Sequence, residues 1–453
     1  MSCSSERAAG DGMRSDDSDD SDRGTEVDNT DANTDAGDRD ITFEVSVNLS
    51  DAIGTVGIVE WSTNVDNEID AATIDFGLDS EYGMTAPVEL TAEYFRTLLL
   101  GMKGSSDYHV RVNAVIDGTT YRSHDVVITT EPVTNVIQRA DIIVAQSASV
   151  APGFFVLASY TAASFSQNPM AFIIDNDGDI VWWYAATALS DSTRARMSYD
   201  GKWMAVVSSN NQGNAGAVEL VSMDGQEVKQ FTSLTGAAHD LTPVDDNTFA
   251  WLEYTPEGGF GNSAVCARVM SLDTNGNIGL IYDTADTWGT GCHGNALRYS
   301  MAEQLFTVSD YEHGEIVAFD KSGDVAWVTQ NDGLWKYQHG HHLLNNSILI
   351  FNNGGSFSDV TLTSEALEYE FSSDTGGLRE IWRYRVEGLG TPTLGDVQRL
   401  PNGNTLVSYS NKALMHEVAA DEQLVRSIDL GQAAFGYVVW RPTLYGHPVD
   451  LEQ

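Results

Sequence analysis

Basic residues are scarce in this chain of 453 residues. Lys and Arg total 24 against 66 Asp and Glu, a formal net charge of −42 at pH 7. Such a surface repels phosphates, so nucleic acid is excluded as a partner and an anionic membrane face is disfavoured. The acidity either serves solubility at high ionic strength, where salt screens self-repulsion, or is no more than an acidic surface. Cysteine is as sparse, with Cys3, Cys266 and Cys292 alone. No CxxC or Cys/His pair has zinc-ligand spacing. Cys266 and Cys292 form a disulfide in an oxidising compartment, or stay two buried thiols. Long apolar runs are missing too. Nothing approaches the roughly 18 residues of a membrane-spanning helix, and no hydrophobic signal core stands at the start.

The first 40 residues hold 13 acidic residues, four arginines and no aromatic. Such a segment buries too little apolar surface to offset its ordering entropy, so 1–40 reads as a disordered acidic tether. It opens Met1-Ser2-Cys3-Ser4-Ser5. That start resembles a bacterial lipoprotein just after cleavage, with Cys3 as the lipidated residue and the signal segment missing upstream; an accidental cysteine is the alternative. The expectation is an exported protein, periplasmic or cell-surface, touching a membrane only through a lipid anchor.

From 41 to 131 the pattern changes to short alternating strands. Tyr108, Val110, Val112, Ala114 and Ile116 share one strand face, and Asp117-Gly118 turns the chain into Thr120–Thr130. The reading is a small β-sandwich. The order EWST, DFGLDSEYG, YHVRVNAVIDG resembles a fibronectin type III-like domain. Residues 132–151 read as a linker.

The remainder, 152–453, repeats. Six segments pair two apolar strands across a polar turn, with turn residues Asp175, Asp224, Asp273, Asp320, Ser373 and Ala420 spaced by 49, 49, 47, 53 and 47. A period near 50 with about four strands per unit predicts an all-β, six-bladed β-propeller. Asp175-Asn176-Asp177-Gly178-Asp179 superficially suggests a calcium loop, but no Glu follows at the bidentate position and the loop reads as a hairpin tip.

A second element recurs between the hairpins. Arg194, His239, His339 and Asp396 each stand six positions before a turn residue, and His293 six or seven. Equivalent propeller positions face one axis, and strand alternation adds Arg196, Asn295, His341 and Gln398. These side chains are expected at one channel mouth; the alternative is polar residues that plug the channel. Imidazole suits attack or proton transfer on an oxyacid ester near neutral pH, with Asn295 and arginines as donors to developing charge. A tris-histidine zinc site competes, although Asn295 and Gln338 look more like anion donors; no metal and no cofactor is expected.

At these residues the chain resembles the bacterial arylsulfotransferases. The matching pieces are His239-Asp240-Leu241, His293-x-Asn295, Gln338-His339, Phe351-Asn352-Asn353-Gly354, Val397-Gln398-Arg399-Leu400-Pro401-Asn402-Gly403-Asn404-Thr405 and Trp440-Arg441-Pro442-Thr443-Leu444-Tyr445. The resemblance covers roughly Pro152 to Tyr445. It implies transfer of a sulfuryl group from an aryl sulfate ester to a phenol through a sulfated His339, without a nucleotide sulfate donor. His239, His293 and Asn295 then assist; Arg194, Arg196, Tyr311 and His341 are candidate substrate-binding residues from their places in the repeat, with Arg194 or Arg196 as the substitute from another blade for an arginine of the family pattern. One departure stands out: where the family has Ser-x-Arg, this chain has Ser309-Asp310-Tyr311. The second reading is therefore a non-catalytic surface propeller that binds a ligand or protein. A quinoprotein dehydrogenase fits six repeats without vicinal cysteines poorly. Oligomeric state stays open.

Overall fold

The computed structural model describes residues 40–447 apart from 134–137, 160–169, 190, 211–214, 235, 255–265, 356–361, 372–376 and 432–433. The acidic tether, except Asp40, and Cys3 lie outside the described residues. The regular structure of the described chain is almost all strand; its only α-helix is the single turn Ala285–Trp288.

Residues 43–129 build two sheets. One holds Phe43–Leu49, Gly57–Thr63 and Thr97–Leu99; the other holds Met84–Pro87, Ala71–Gly77, Asp107–Ile116 and Thr119–Arg122, with Val126–Thr129 also paired to Asp107–Ile116. Alternation drives the packing: Tyr108, Val110, Val112, Ala114 and Ile116 are all buried and meet Trp61, Ile74 and Phe76 in one core. Asp117 and Gly118 both take positive φ (50° and 73°), the turn that matches strand twist in a two-residue hairpin.

Six further sheets follow. Asp191–Met197, Trp203–Ser209, Gly216–Ser222 and Val228–Leu234 form a four-stranded antiparallel meander. The same arrangement restarts at Ala237–Pro243, Gly294–Ser300, His341–Leu343 and Asp396–Arg399. Each hairpin read from the sequence falls in a different sheet. Strands inside these sheets are covered on both faces: every residue of Met170–Ile174, Ser347–Asn352 and Thr405–Tyr409 is buried. That explains their near-continuous apolar character.

The sheet at the start of this region takes strands from both its beginning and its end. Phe154–Ala158 pairs with Met170–Ile174 on one side and with Val439–Arg441 on the other. Residues 132–151, expected as a connection, contain the strand Asp141–Val144, which pairs with Leu424–Asp429 as a fifth strand of the last sheet. The outer edge of that sheet offered unpaired backbone groups, and the passing segment satisfies them.

The two parts share a core. Ile53, Val56 and Leu100 pack among Val181, Trp182 and Met223. Thr55 Oγ1 donates to the Val181 carbonyl at 2.8 Å, and Arg96 pairs with Asp224 at 2.6 Å. The acidic hairpin tip is gathered by a cation of the first part: Lys103 Nζ lies 3.3, 2.6 and 2.8 Å from Asp175, Asp177 and Asp179.

Candidate functional site

The first strands of successive sheets are in contact: Asp191–Met197 with Ala237–Pro243, that strand with Gly294–Ser300, and so on to Asp396–Arg399. Three of them are irregular where they begin. Thr193 is an extra residue between paired Ser192 and Arg194, and Asn295 is one between Gly294 and Ala296. Between Ala237 and Leu241 the ladder skips further, and His239 sits there with φ 62°. Bulges re-aim side chains, so counting positions back from the turn does not preserve facing. The residues expected at one mouth separate into three levels along these strands.

The first level is the histidine cluster. His239 and His293 ring centroids lie 5.1 Å apart. Tyr311 stands 5.6 Å from His293 and 5.8 Å from His339, edge-on to the latter. Tyr254 closes the other side, 5.5 Å from His239 and 5.9 Å from His293, and Tyr337 lies 4.9 Å from Tyr311. His339 is buried, while His239, His293 and Tyr311 are partly exposed. Burial holds all three imidazoles below the ordinary histidine range, His339 to about 4, so they are neutral at pH 7. Among the described residues, the three do not bring three nitrogens within 4.8 Å of one another, as one shared metal ion would ask.

His339 has a defined tautomer. Asn353 Nδ2 donates to the carbonyls of Thr391 (2.7 Å) and Leu394 (2.9 Å), which turns its Oδ1 toward His339 Nδ1 at 2.8 Å. The Tyr337 carbonyl lies 3.2 Å from the same nitrogen. Both partners are acceptors, so Nδ1 carries the proton and Nε2 keeps its lone pair.

His293 is held from below. Its backbone N–H donates to Asp310 Oδ2 at 2.5 Å, and Asp310 Oδ1 accepts from the backbone of Glu312 and His313. Cys292, directly before His293, is disulfide-bonded to Cys266, with 4.8 Å between the Cα atoms.

Asn295 and Gln338 serve the backbone. Asn295 Nδ2 donates to the Gln338 carbonyl at 2.7 Å, and Gln338 Nε2 donates to the Asp310 carbonyl at 2.7 Å. Both are fully buried. They tie the His293, Asp310 and His339 segments together, which replaces the expectation that Gln338 is an anion donor.

The second level is a buried charge cluster. Arg194 is 0% exposed; its Nε lies 3.0 Å from Asp240 and its Nη1 2.9 Å from Asp396. Arg298 also pairs with Asp396, and the Arg194 guanidinium lies 4.9 Å from the Tyr437 ring centre. Burial pushes the Asp240 carboxyl above the usual carboxylate range and pulls Arg194 below the usual guanidinium range, while their pairing opposes both shifts. His341 belongs here as well, with Nε2 2.7 Å from Thr307 Oγ1 and burial lowering it to about 3. Arg194, His341 and Asp396 thus sit among other side chains rather than beside His339. A charge this deep finds carboxylates before it finds a substrate.

The third level lies two residues further along each strand. Arg196 and Gln398 line a cavity with Arg298, His342 and Arg441 that none of the three clustered histidines lines. Arg196 therefore lies apart from the histidine cluster. Sequence reasoning passed over Tyr254, Tyr337, Asp310 and Asn353 as site residues. Two of them stood in pieces that resemble the family, Asn353 in Phe351-Asn352-Asn353-Gly354 and Asp310 in Ser309-Asp310-Tyr311.

Residues 139–291 match a family model described as Arylsulfotransferase (ASST), and residues 293–431 match a second model of the same description. A Schizosaccharomyces pombe protein described as a dipeptidyl aminopeptidase is 25% identical over 187 residues, covering 36% of this chain and 23% of that protein. The chain thus spans less than a quarter of that relative's length. The periplasmic gluconolactonase of Pseudomonas aeruginosa is similar with a TM-score of 0.39 and 12% identity, covering 65% of this chain and 100% of that one. Virginiamycin B lyase from Staphylococcus aureus is similar at 0.38 and 9%, covering 73% and 93%. The two ASST matches together span residues 139–431, well over half of the sequence, and the chain belongs to the arylsulfotransferase (ASST) family.

Proposed function

We propose that this protein moves a sulfuryl group from an aryl sulfate ester to a phenol, with His339 as the group it passes through. The observation that carries the reading is the Asn353–His339 hydrogen bond, which leaves Nε2 of a neutral imidazole with its lone pair. In the first step Nε2 attacks sulfur, the N–S bond forms, and the S–O bond to the aryl group breaks with release of a phenoxide. In the second step the acceptor phenol oxygen attacks sulfur, the N–S bond breaks, and the phenolic proton passes to a base. His239 and His293, neutral and adjacent, are the candidates for that base. Asn353 Oδ1 accepts from Nδ1–H throughout and offsets the charge that sulfation places on the ring. Tyr254, Tyr311 and Tyr337 give the site aromatic walls that suit aryl groups.

The six sheets are read as six blades around one channel, and residues 41–131 as a β-sandwich leaning on the first two. Export to an oxidising compartment is supported by the Cys266–Cys292 disulfide.

A second reading has one specific observation behind it. Tyr311 stands beside His293 and His339 where the family resemblance expects an arginine. Arg194 and Arg196 do not replace that arginine from their own levels. A channel with this lining and no cationic donor among the described residues suits binding of an aromatic ligand without turnover.

Incubation with a chromogenic aryl sulfate, followed by intact-mass measurement, separates the two. The enzyme reading expects phenol release and a single sulfuryl adduct, both lost in His339→Ala. Absence of adduct and turnover across several donors supports the binding reading. Full activity in His339→Ala refutes the assignment of the nucleophile.

A further inference from the structure

We infer that the end of the channel opposite the histidines is a second binding site, built for a compact monocarboxylate held by Arg196. Three of the chain's 24 basic residues, Arg196, Arg298 and Arg441, line this one cavity, and among the described residues none of its 66 acidic ones does. In so acidic a protein that concentration needs a cause.

The three arginines are not equivalent. Arg441 spends its donors on backbone carbonyls: Nε on Thr443 (3.2 Å), Nη1 on Ser198 (3.0 Å) and Nη2 on Gly446 (3.0 Å). Arg298 is paired with Asp396 and donates from Nε to the His341 carbonyl at 3.0 Å. Arg196 differs. It is 9% exposed, and its Nε and Nη2 have no hydrogen-bond partner among the described residues. Those two nitrogens form the edge of the guanidinium whose parallel N–H groups match the two oxygens of a carboxylate. Leaving both buried and unmatched costs free energy that a bound carboxylate recovers.

The other walls set the ligand's size and body. Met197, Pro243, Leu343, Val397 and Val439 supply apolar surface. His342 Nδ1 accepts from the Arg399 backbone N–H at 3.0 Å, which fixes the ring at the cavity wall. Arg194 and Arg298 are matched by Asp240 and Asp396 at the floor. One unmatched guanidinium edge with apolar walls favours a singly charged carboxylate with a short chain over a divalent oxyanion. The site is independent of the sulfuryl-transfer reading, because the buried charge cluster separates it from His339.

Calorimetric titration with sodium propionate, at ionic strength held constant with sodium chloride, tests it. Binding is expected in the native protein and unchanged in His339→Ala. Arg196→Gln is expected to weaken it at least about tenfold, the loss of a charged bidentate contact. Val439→Phe, which fills the cavity and keeps Arg196, is expected to abolish it and covers the case in which Arg196→Gln fails to fold. No binding of propionate to the native protein overturns the proposal, as do native affinity in Arg196→Gln, loss of binding in His339→Ala, or tighter binding of sodium sulfate than of propionate.

Discussion

Both amide hydrogens of Asn353 are directed at carbonyls, so only its oxygen faces His339, and this one side chain selects the ring nitrogen that is free to react. Asn353→Leu should therefore keep His339 in place yet let its proton move to Nε2. The expected outcome is a fall in kcat of at least about tenfold with little change in KM, measured by phenol release. The buried histidines also make stability depend on pH. His339 and His416 are lowered to about 4 and His341 to about 3, mainly by burial, against an unfolded value near 6.5. Between roughly pH 4 and pH 6.5 the unfolded chain holds protons that the folded chain refuses, so stability rises with pH across that window. Thermal midpoints should fall as pH drops from about 6.5 toward about 4, and His341→Asn should shallow that slope. A slope of the same steepness in His341→Asn would show that His341 is not among the groups responsible.

The bulges that open the first strands are the elements that shape the site. Thr193 and Asn295 each interrupt a ladder by one residue, and the longer skip around His239 turns that ring toward His293. The Cys266–Cys292 bond fastens the approach to His293 from the neighbouring sheet. Closing a loop across 26 residues of sequence separation is worth about 2–4 kcal/mol, largely by constraining the unfolded chain. The double variant Cys266→Ser/Cys292→Ser should lose stability of that order in urea unfolding and should lower kcat more than it changes KM, because His293 loses its anchor. A variant with the native unfolding midpoint would mean that the bond does not hold this loop.

At the scale of the whole molecule, two facts govern behaviour. Residues far apart in sequence meet in one sheet, where Val439–Arg441 pairs with Phe154–Val156, so backbone hydrogen bonds close the long stretch of chain between them. The net charge of −42 works against that closure through self-repulsion. Salt screens exposed charges within about 10 Å at 0.1 M and barely reaches the buried Arg194, Asp240 and Asp396. Raising sodium chloride from about 20 mM to about 1 M should therefore raise the thermal midpoint without altering that buried charge cluster. A midpoint independent of salt would show that self-repulsion is not a limiting term.

Much of this could be read before any coordinates. The period near 50 and the Asp-Gly turns marked the hairpins because hydrogen bonding and twist act locally, within a few residues. The alternation from Tyr108 to Ile116 set one buried face for the same reason. His239, His293 and His339 were legible as related by their place in the repeat. What only the tertiary structure decided is which of the repeated polar residues reach the same level. A bulge shifts facing by one residue and leaves no mark in composition, so Arg194 went to Asp240 and Asp396, and Arg196 to the far cavity. The tautomer of His339 depends on Asn353, 14 residues away, whose own orientation rests on carbonyls a further 38 and 41 residues on. Such choices belong to the long-range packing of one sheet on the next, and no local pattern carries them.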